Sequence, residues 1–219
     1  MNAIAILPIK TFEEAKQRLG DALDRPTRRV LAEAMFTDVL TGLRRCEGID
    51  DLIVVTSDHG AERIAAGYGA AVVRDGQLGH SHAASLGIQQ ALESAAQRVL
   101  LVPGDCPLLD PAEIDDLIAR PMAGRSAVIV PDRHGTGTNA LLLSPPDAFE
   151  PAFGSGSRER HEALGRAAGI DPQTVNVQSL ALDVDTPEDL SALEVALASS
   201  HGGAAHTRGM LRQLARIES

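Results

Sequence analysis

Three aspartates and three cations mark where this sequence can do chemistry. Leu182-Asp183-Val184-Asp185-Thr186-Pro187-Glu188 carries two acids two positions apart, and Val102-Pro103-Gly104-Asp105-Cys106-Pro107 carries a third in a turn. Each follows an apolar run that reads as a buried strand, Val175 to Leu182 and Val99 to Val102. Alternate side chains of an extended segment share a face, so Asp183 and Asp185 would point one way and Val184 the other. Three carboxylates ending two strands are hard oxygen ligands, a plausible seat for a divalent metal such as Mg²⁺. A structural reading stands beside this one. Asp185-Thr186-Pro187-Glu188 also reads as a helix start, with Thr186 or Asp185 capping and Pro187 in the first turn, and Asp105 as a turn acid after Gly104.

The cations Lys10, Lys16 and Arg18 follow the first apolar run, in Leu7-Pro8-Ile9-Lys10-Thr11-Phe12-Glu13-Glu14-Ala15-Lys16-Gln17-Arg18. They suit a phosphate chain or, equally, a solvated basic face. Gly154-Ser155-Gly156-Ser157 opens a helical stretch at Arg158, so free amides there would receive a phosphate or carboxylate, unless Ser157 is an ordinary N-cap. Thr138 and Asn139 leave a Gly-spaced turn and offer side chains to a second ligand or simply enter the next strand. Ser57 and Asp58 follow another run, placed to read a base edge or to cap a helix. His80-Ser81-His82 lacks an acidic or Cys partner and reads as a polar helix start rather than a metal site.

These residues need a scaffold that gathers them. Short apolar runs recur at Ala3 to Leu7, Leu52 to Thr56, Ala71 to Arg74, Val99 to Val102, Ala127 to Val130, Ala140 to Leu143 and Val175 to Leu182. Amphipathic stretches separate them, such as Pro26 to Arg45 with Val30, Leu31, Ala34, Met35, Val39, Leu40 and Leu43 on one face. This alternation predicts an α/β fold with a mostly parallel sheet covered by helices on both faces, a three-layer sandwich. Ligands of such sheets sit beyond the carboxyl ends of the strands, where both acidic turns fall. Residues 1–198 read as one domain, within which 132–157, rich in Gly, Thr, Asn, Pro and Ser, reads as a lid or acceptor-binding insertion. Residues 199–219 form a tail whose helix carries Met210, Leu211, Leu214 and Ile217 on one side, able to dock on the body or on a second copy in a homodimer.

Composition narrows the function classes. Thirty acids against 20 Lys and Arg give a net charge of −10, which disfavours nucleic acid or an anionic membrane as partner, so an anionic substrate needs a local basic patch. One Tyr, four Phe and no Trp leave no stacking platform for single strands. Cys46 and Cys106 are far apart and lack metal-ligand spacing, which fits a reducing cytoplasm. No run reaches transmembrane length, and Ala3 to Leu7 is too short for a signal-peptide core. The first strand runs into neither a Gly-x-Gly-x-x-Gly turn nor a P-loop.

Taken in order, Pro8-Ile9-Lys10 with Ala15-Lys16 and Arg18-Leu19, Pro103-Gly104-Asp105-Cys106-Pro107, Gly135-Thr136-Gly137-Thr138-Asn139, Phe153-Gly154-Ser155-Gly156-Ser157-Arg158 and Asp183-Val184-Asp185-Thr186-Pro187 resemble the guanylyltransferases of deazaflavin coenzyme F-420 biosynthesis. The resemblance runs from about residue 3 to about residue 197. It implies a nucleotide-diphospho-sugar transferase-like, Rossmann-like fold akin to that of the molybdenum-cofactor nucleotidyltransferases. It implies transfer of GMP from GTP to the phosphate of a three-carbon acid, with release of pyrophosphate. The acceptor would be phosphoenolpyruvate as in actinobacterial members, or 2-phospho-L-lactate or 3-phospho-D-glycerate as in others, and the product would pass to a deazaflavin transferase.

By the same resemblance Asp105, Asp183 and Asp185 bind Mg²⁺, and Thr138, Gly154 and Ser157 bind the acceptor. Asn139 and Arg158 join the acceptor group by position. Pro8, Lys10, Lys16, Arg18, Ser57 and Asp58 are the expected nucleotide contacts, with Asp105 and Lys16 central to catalysis. Family members commonly carry a Gly-Leu-Asn type turn where this chain has Gly79-His80-Ser81-His82, so guanine selection lacks its usual residues.

Three other functions fit parts of the pattern. A sugar-phosphate or molybdopterin nucleotidyltransferase would carry a Leu-Ala-Gly-Gly type first loop in place of Leu7-Pro8-Ile9-Lys10. A nucleotide-sugar glycosyltransferase would share Asp183-Val184-Asp185 but has no need of the lysine loop. A regulatory domain would bind the nucleotide without releasing pyrophosphate.

Overall fold

Six of the apolar runs become strands: β1 (Ala3–Pro8), β2 (Asp51–Val55), β3 (Ala71–Val73), β4 (Arg98–Leu101), β5 (Ser126–Pro131) and β6 (Thr138–Ser144). A two-residue β7 (Gln173–Thr174) completes one sheet of order β3-β2-β1-β4-β6-β5-β7. The structure is a computed structural model that describes residues 2–76, 78–199 and 202–217. Within the expected tail, residues 200, 201, 218 and 219 and the side chain of Ile217 lie outside the described residues.

Strand pairing is parallel for β1 with β2 and β4, for β2 with β3 and for β5 with β7; β6 alone runs antiparallel, between β4 and β5. Burial on both faces explains why the strands read as unbroken apolar runs. Ala3, Ala5 and Leu7 face one core, shared with α1 (Arg25–Leu43), α2 (His59–Gly67) and α4 (Pro111–Ile118). Ile4 and Ile6 face the other, shared with α3 (His80–Glu93), while Leu164 of α5 (Ser157–Ala167) packs at its margin. At Gly87 of α3 an added Cβ would stand 2.3 Å from Ile6 Cγ2, so the glycine lets that helix lie close on β1.

Two expectations change. The strand over Val175 to Leu182 does not form. Val175 donates to the Ile129 carbonyl at 3.0 Å, and the chain then leaves the sheet in a 3₁₀ turn at Gln178–Leu180. Val177 and Leu180, three apart, both enter the first core, a spacing that suits the 3₁₀ turn and not a strand. The segment 132–157 supplies β6 to the interior of the sheet, so only 132–137 and 145–157 stand outside it.

A third cluster lies outside α1. Leu31 and Met35 of α1 pack with Leu19, Val184, and Leu190, Leu193 and Leu197 of α6 (Pro187–Ser199); Met210 and Leu211 of α7 (Ala205–Ile217) close over it. The tail helix is held by a cap from another helix. Buried Asp38 of α1 accepts the backbone N–H groups of His206 at 3.0 Å and Thr207 at 2.8 Å, and lies 2.9 Å from His206 Nδ1. Asp38→Ala leaves two N-terminal amides of α7 without their acceptor, and we expect it to lower stability by about 1–3 kcal/mol. Urea midpoints and proteolysis of the tail check this; a change under about 0.5 kcal/mol would show that packing alone docks α7. Among the described residues no helix is long and apolar enough to cross a membrane.

Candidate active site

Strand order reverses between β1, which leads to β2 and β3 on one side, and β4 on the other. A crevice opens at the carboxyl ends of such a pair. The loop after β1 and the loop after β4 meet there: Lys16 Nζ bonds Asp105 Oδ2 and lies 2.9 Å from Asp185 Oδ1. Val184 N donates to the Asp105 carbonyl at 3.2 Å, tying the two acidic turns together through the backbone. Gly104 makes room for this crossing, since a Cβ there would stand 2.4 Å from Ile9 Cδ1.

The Lys16 side chain is 7% exposed and the residue adopts a left-handed backbone with φ 57°. A non-glycine residue held there costs about 1–3 kcal/mol, and its two carboxylates offset that. Burial alone would depress its ammonium, but Asp105 and Asp185 reverse the effect and hold it above the usual lysine range. Burial opposes ionisation of Asp185, yet Lys16, then Arg18 and Lys10, keep its carboxyl below the ordinary value. Asp183 moves the other way: burial, then the charge of Asp105, push it up, against a 3.1 Å hydrogen bond from Asn139 Nδ2. Asp105 and Asp185 thus share one buried ammonium, while Asp183 is held by Asn139.

The helix-start reading of the 185–189 segment holds at Thr186 and Asp189. Thr186 caps α6, with Thr186 N 2.8 Å from Asp189 Oδ2 and Asp189 N 3.3 Å from Thr186 Oγ1, a reciprocal box. The Asp185 carboxylate is left for Lys16. Arg133 braces the box through a 2.6 Å ion pair with Asp189.

Among the described residues no three His, Cys, Asp or Glu side chains form a ready metal-holding group, because Lys16 stands between Asp105 and Asp185. The donor set nevertheless suits a hard cation. Among the described residues Asp105 Oδ1 is buried without a hydrogen-bond partner and Asp183 makes no ion pair.

Of the expected nucleotide contacts, Lys10 and Arg18 are exposed at the rim, and neither makes an ion pair or hydrogen bond among the described residues. Pro8 and Ser57 line a pocket of about 260 Å³ beside Lys10, Asp75 and His80. Asp58 is a correction. Its Oδ1 accepts Gly60 N at 2.7 Å and Ala61 N at 2.9 Å, and its Oδ2 accepts Phe12 N at 2.9 Å. It therefore caps α2 and anchors the lysine loop instead of facing a ligand. Lys16, expected on a phosphate chain, is committed to the acids in this structure.

Asn139 is the second correction. It is buried, and its amide donates to the Leu180 carbonyl at 2.7 Å as well as to Asp183, so it shapes the acidic loop rather than reaching an acceptor. Gly154 (φ 111°) and Gly156 (φ 67°) need glycine's freedom, and Gly156, not Ser157, occupies the N-cap of α5. Ser157 is the buried first helical residue. Arg158 lies half-buried, its Nε in a 3.7 Å ion pair with Glu162 but without a hydrogen bond among the described residues.

One positioning residue escaped the sequence reading. His161 is fully buried, with Nε2 accepting Ala152 N at 3.0 Å and Nδ1 3.0 Å from Thr138 Oγ1. Accepting at Nε2 places the proton on Nδ1, which donates to Thr138 and leaves the Thr138 hydroxyl proton for another partner. The signal was its place one helical turn beyond Ser157, four residues on.

Burial, reinforced by Arg160, drives the His161 pKa down to about 4. Because the folded state stays unprotonated where the unfolded chain, at about 6.5, takes the proton, stability from this group is complete above pH 6.5. It is lost as pH falls to about 4, at a cost of about 3 kcal/mol. His161→Gln should flatten this part of the pH–stability curve in urea melts at pH 7 and 4.5. An unchanged slope would exclude the assignment.

A family model described as guanylyl transferase CofC like matches residues 3–218. A phosphoenolpyruvate guanylyltransferase of Conexibacter woesei is 53% identical over 218 residues, spanning 99% of this chain and 98% of that protein. A 3-phospho-D-glycerate guanylyltransferase of Colwellia psychrerythraea is 34% identical, spanning 88% and 91%. Among solved structures, a nucleotidyl transferase from Methanothermobacter thermautotrophicus superposes with a TM-score of 0.65 at 17% identity, spanning 91% of this chain and 99% of that one, a likeness of fold.

Proposed function

This chain belongs to the CofC-like guanylyl transferases, and from that premise we propose that it transfers GMP from GTP to the phosphate of phosphoenolpyruvate, giving enolpyruvyl-diphospho-guanosine and pyrophosphate. The carrying observation is the Lys16–Asp105–Asp185 centre at the β1/β4 switch, with Lys10 and Arg18 acting on Asp185 and with α5 tied to the acidic loop through Thr138–His161 and Asn139–Asp183. The relative at 53% identity favours phosphoenolpyruvate as acceptor. 2-phospho-L-lactate and 3-phospho-D-glycerate remain the alternatives of the same reaction. The enzyme would act in a reducing cytoplasm, where its buried thiols Cys46 and Cys106 stay free.

The reaction needs no general base, because a phosphate oxygen is already a nucleophile. That oxygen attacks the α-phosphorus of GTP, a P–O bond forms, and the bond to the β-phosphate breaks with its electrons leaving on pyrophosphate. Like charges are the obstacle, each pair at 4 Å costing about 4 kcal/mol at an effective dielectric of 20. Lys10 and Arg18 line the approach of the triphosphate and offset that charge. Lys16 holds Asp105 and Asp185 in place and keeps Asp185 ionised. Asp105, Asp183 and Asp185 would hold Mg²⁺, which when bound supplies charge neutralisation on phosphate oxygens. The amides at the start of α5, with Ser157, Arg158 and the Thr138 hydroxyl, receive the acceptor, and His161 fixes their spacing.

Pyrophosphate release measured with GTP and each of the three acids tests the acceptor. Highest kcat/KM with phosphoenolpyruvate is expected; a higher value with either alternative reassigns it, and release with CTP or ATP at comparable rates would contradict guanylyl specificity.

A further inference from the structure

Resting on the guanylyl-transfer reading, we infer that Asp75 is the residue that reads the guanine base. The pocket of about 260 Å³ beside Lys10 lies at the carboxyl ends of β1, β2 and β3, and Asp75 follows β3 at the sheet edge. Its volume is close to the lower end of small-molecule pockets, roughly 300–1,000 Å³, and suits part of a nucleotide rather than the whole.

The pocket adjoins the acidic centre. His80 lines it and feels the charges of Asp105 and Lys10, and Lys10 in turn acts on Asp185. A nucleotide with its phosphates between Lys10 and the acids must run away from β4. Its base then lies at the β2–β3 side, where Ser57 and Asp75 stand.

There the Asp75 carboxylate is fixed from behind. Ser57 Oγ bonds the Asp75 backbone carbonyl and lies 2.8 Å from Asp75 Oδ1, while Oδ2 has no partner among the described residues. Guanine presents two donors side by side, N1–H and the 2-amino group, which one carboxylate accepts together. Adenine presents its N1 acceptor there, and cytosine its N3 and O2 acceptors, so each meets repulsion and an unpaired carboxylate. A site built around such a bond rejects a ligand lacking the donor by roughly 10⁴–10⁵. Glu14 is the other carboxylate on the pocket, but it is exposed on the 3₁₀ turn after β1 and no described residue bonds its side chain.

The test compares GTP, inosine triphosphate, xanthosine triphosphate and ATP, by kcat/KM with phosphoenolpyruvate and by equilibrium binding. In wild type, losing the 2-amino group should weaken inosine triphosphate about 10- to 100-fold against GTP, and ATP at least about 1,000-fold. Asp75→Asn should lower GTP use at least about 100-fold and raise xanthosine triphosphate above it, because the amide N–H meets the 2-oxo group while the amide oxygen still accepts N1–H. An unchanged GTP preference in folded Asp75→Asn, or a switch produced by Glu14→Gln instead, would overturn the assignment. So would equal wild-type binding of GTP and inosine triphosphate, a measurement that needs no variant. Selective GTP binding without turnover on any acid would refute the transfer reading and leave the base assignment standing.

Discussion

Asp105→Asn is expected to lower kcat by at least about 100-fold while the protein stays folded. The carboxylate sits where the β4 loop crosses the β1 loop, with one oxygen on Lys16 and the other buried without a partner. Asparagine fills the same volume and still offers an acceptor to Lys16, so the crossing persists. What is lost is a negative charge that a divalent cation requires, and the transition-state stabilisation attached to it is worth several kcal/mol, of which about 2.7 corresponds to 100-fold. Melting temperature and single-turnover rates measured together decide the point. A variant with near-normal kcat would remove Asp105 from the mechanism; one that fails to fold would make it structural, with Asp185→Asn then carrying the test.

The second large effect is expected from Lys16→Met. Methionine keeps the apolar stem in its buried slot but leaves Asp105 and Asp185 facing each other without their shared cation. Breaking a buried pair typically costs about 3–5 kcal/mol, but Asp185 is 46% exposed, so solvent reduces the loss to about 1–2 kcal/mol here. Catalysis should suffer more, at least about 100-fold in kcat/KM, because the Asp185 carboxyl loses the main influence holding it low and the site loses its fixed positive charge. Added Mg²⁺ should raise the melting temperature of this variant by more than it raises that of wild type. Equal shifts would separate Lys16 from the acids' cation chemistry.

The scaffold was legible because its signals are local: seven apolar runs at strand length, a Pro-started helix whose N-cap is Asp24, and turns carrying Gly and Asp. The one strand that failed shows the limit. Between Val175 and Leu182 the pair 175/177 has strand spacing while 177/180 has 3₁₀ spacing, and the surrounding core selects the 3₁₀ turn. Site residues divided in the same way. Asp105, Asp183 and Asp185 could be named from type and spacing, yet the depth of Lys16 depends on two loops 89 residues apart meeting at one point. In sequence Asn139 and Asp58 look available to ligands because they are polar residues at a sheet edge, whereas in the fold Asp58 accepts backbone amides and Asn139 donates to the Leu180 carbonyl and Asp183. His161 and Asp75 went unread because each gains its role from a partner distant in sequence, Thr138 for one and Ser57 for the other.

The most direct measurement of the central claim is the fate of oxygen when the enzyme is given GTP, Mg²⁺ and phosphoenolpyruvate labelled with ¹⁸O in its phosphate. Attack of that phosphate on the α-phosphorus predicts a GMP adduct retaining every labelled oxygen, one of them bridging the two phosphorus atoms, together with unlabelled pyrophosphate. Labelled pyrophosphate, or GTP bound with no adduct formed, would contradict guanylyl transfer to phosphoenolpyruvate at this centre.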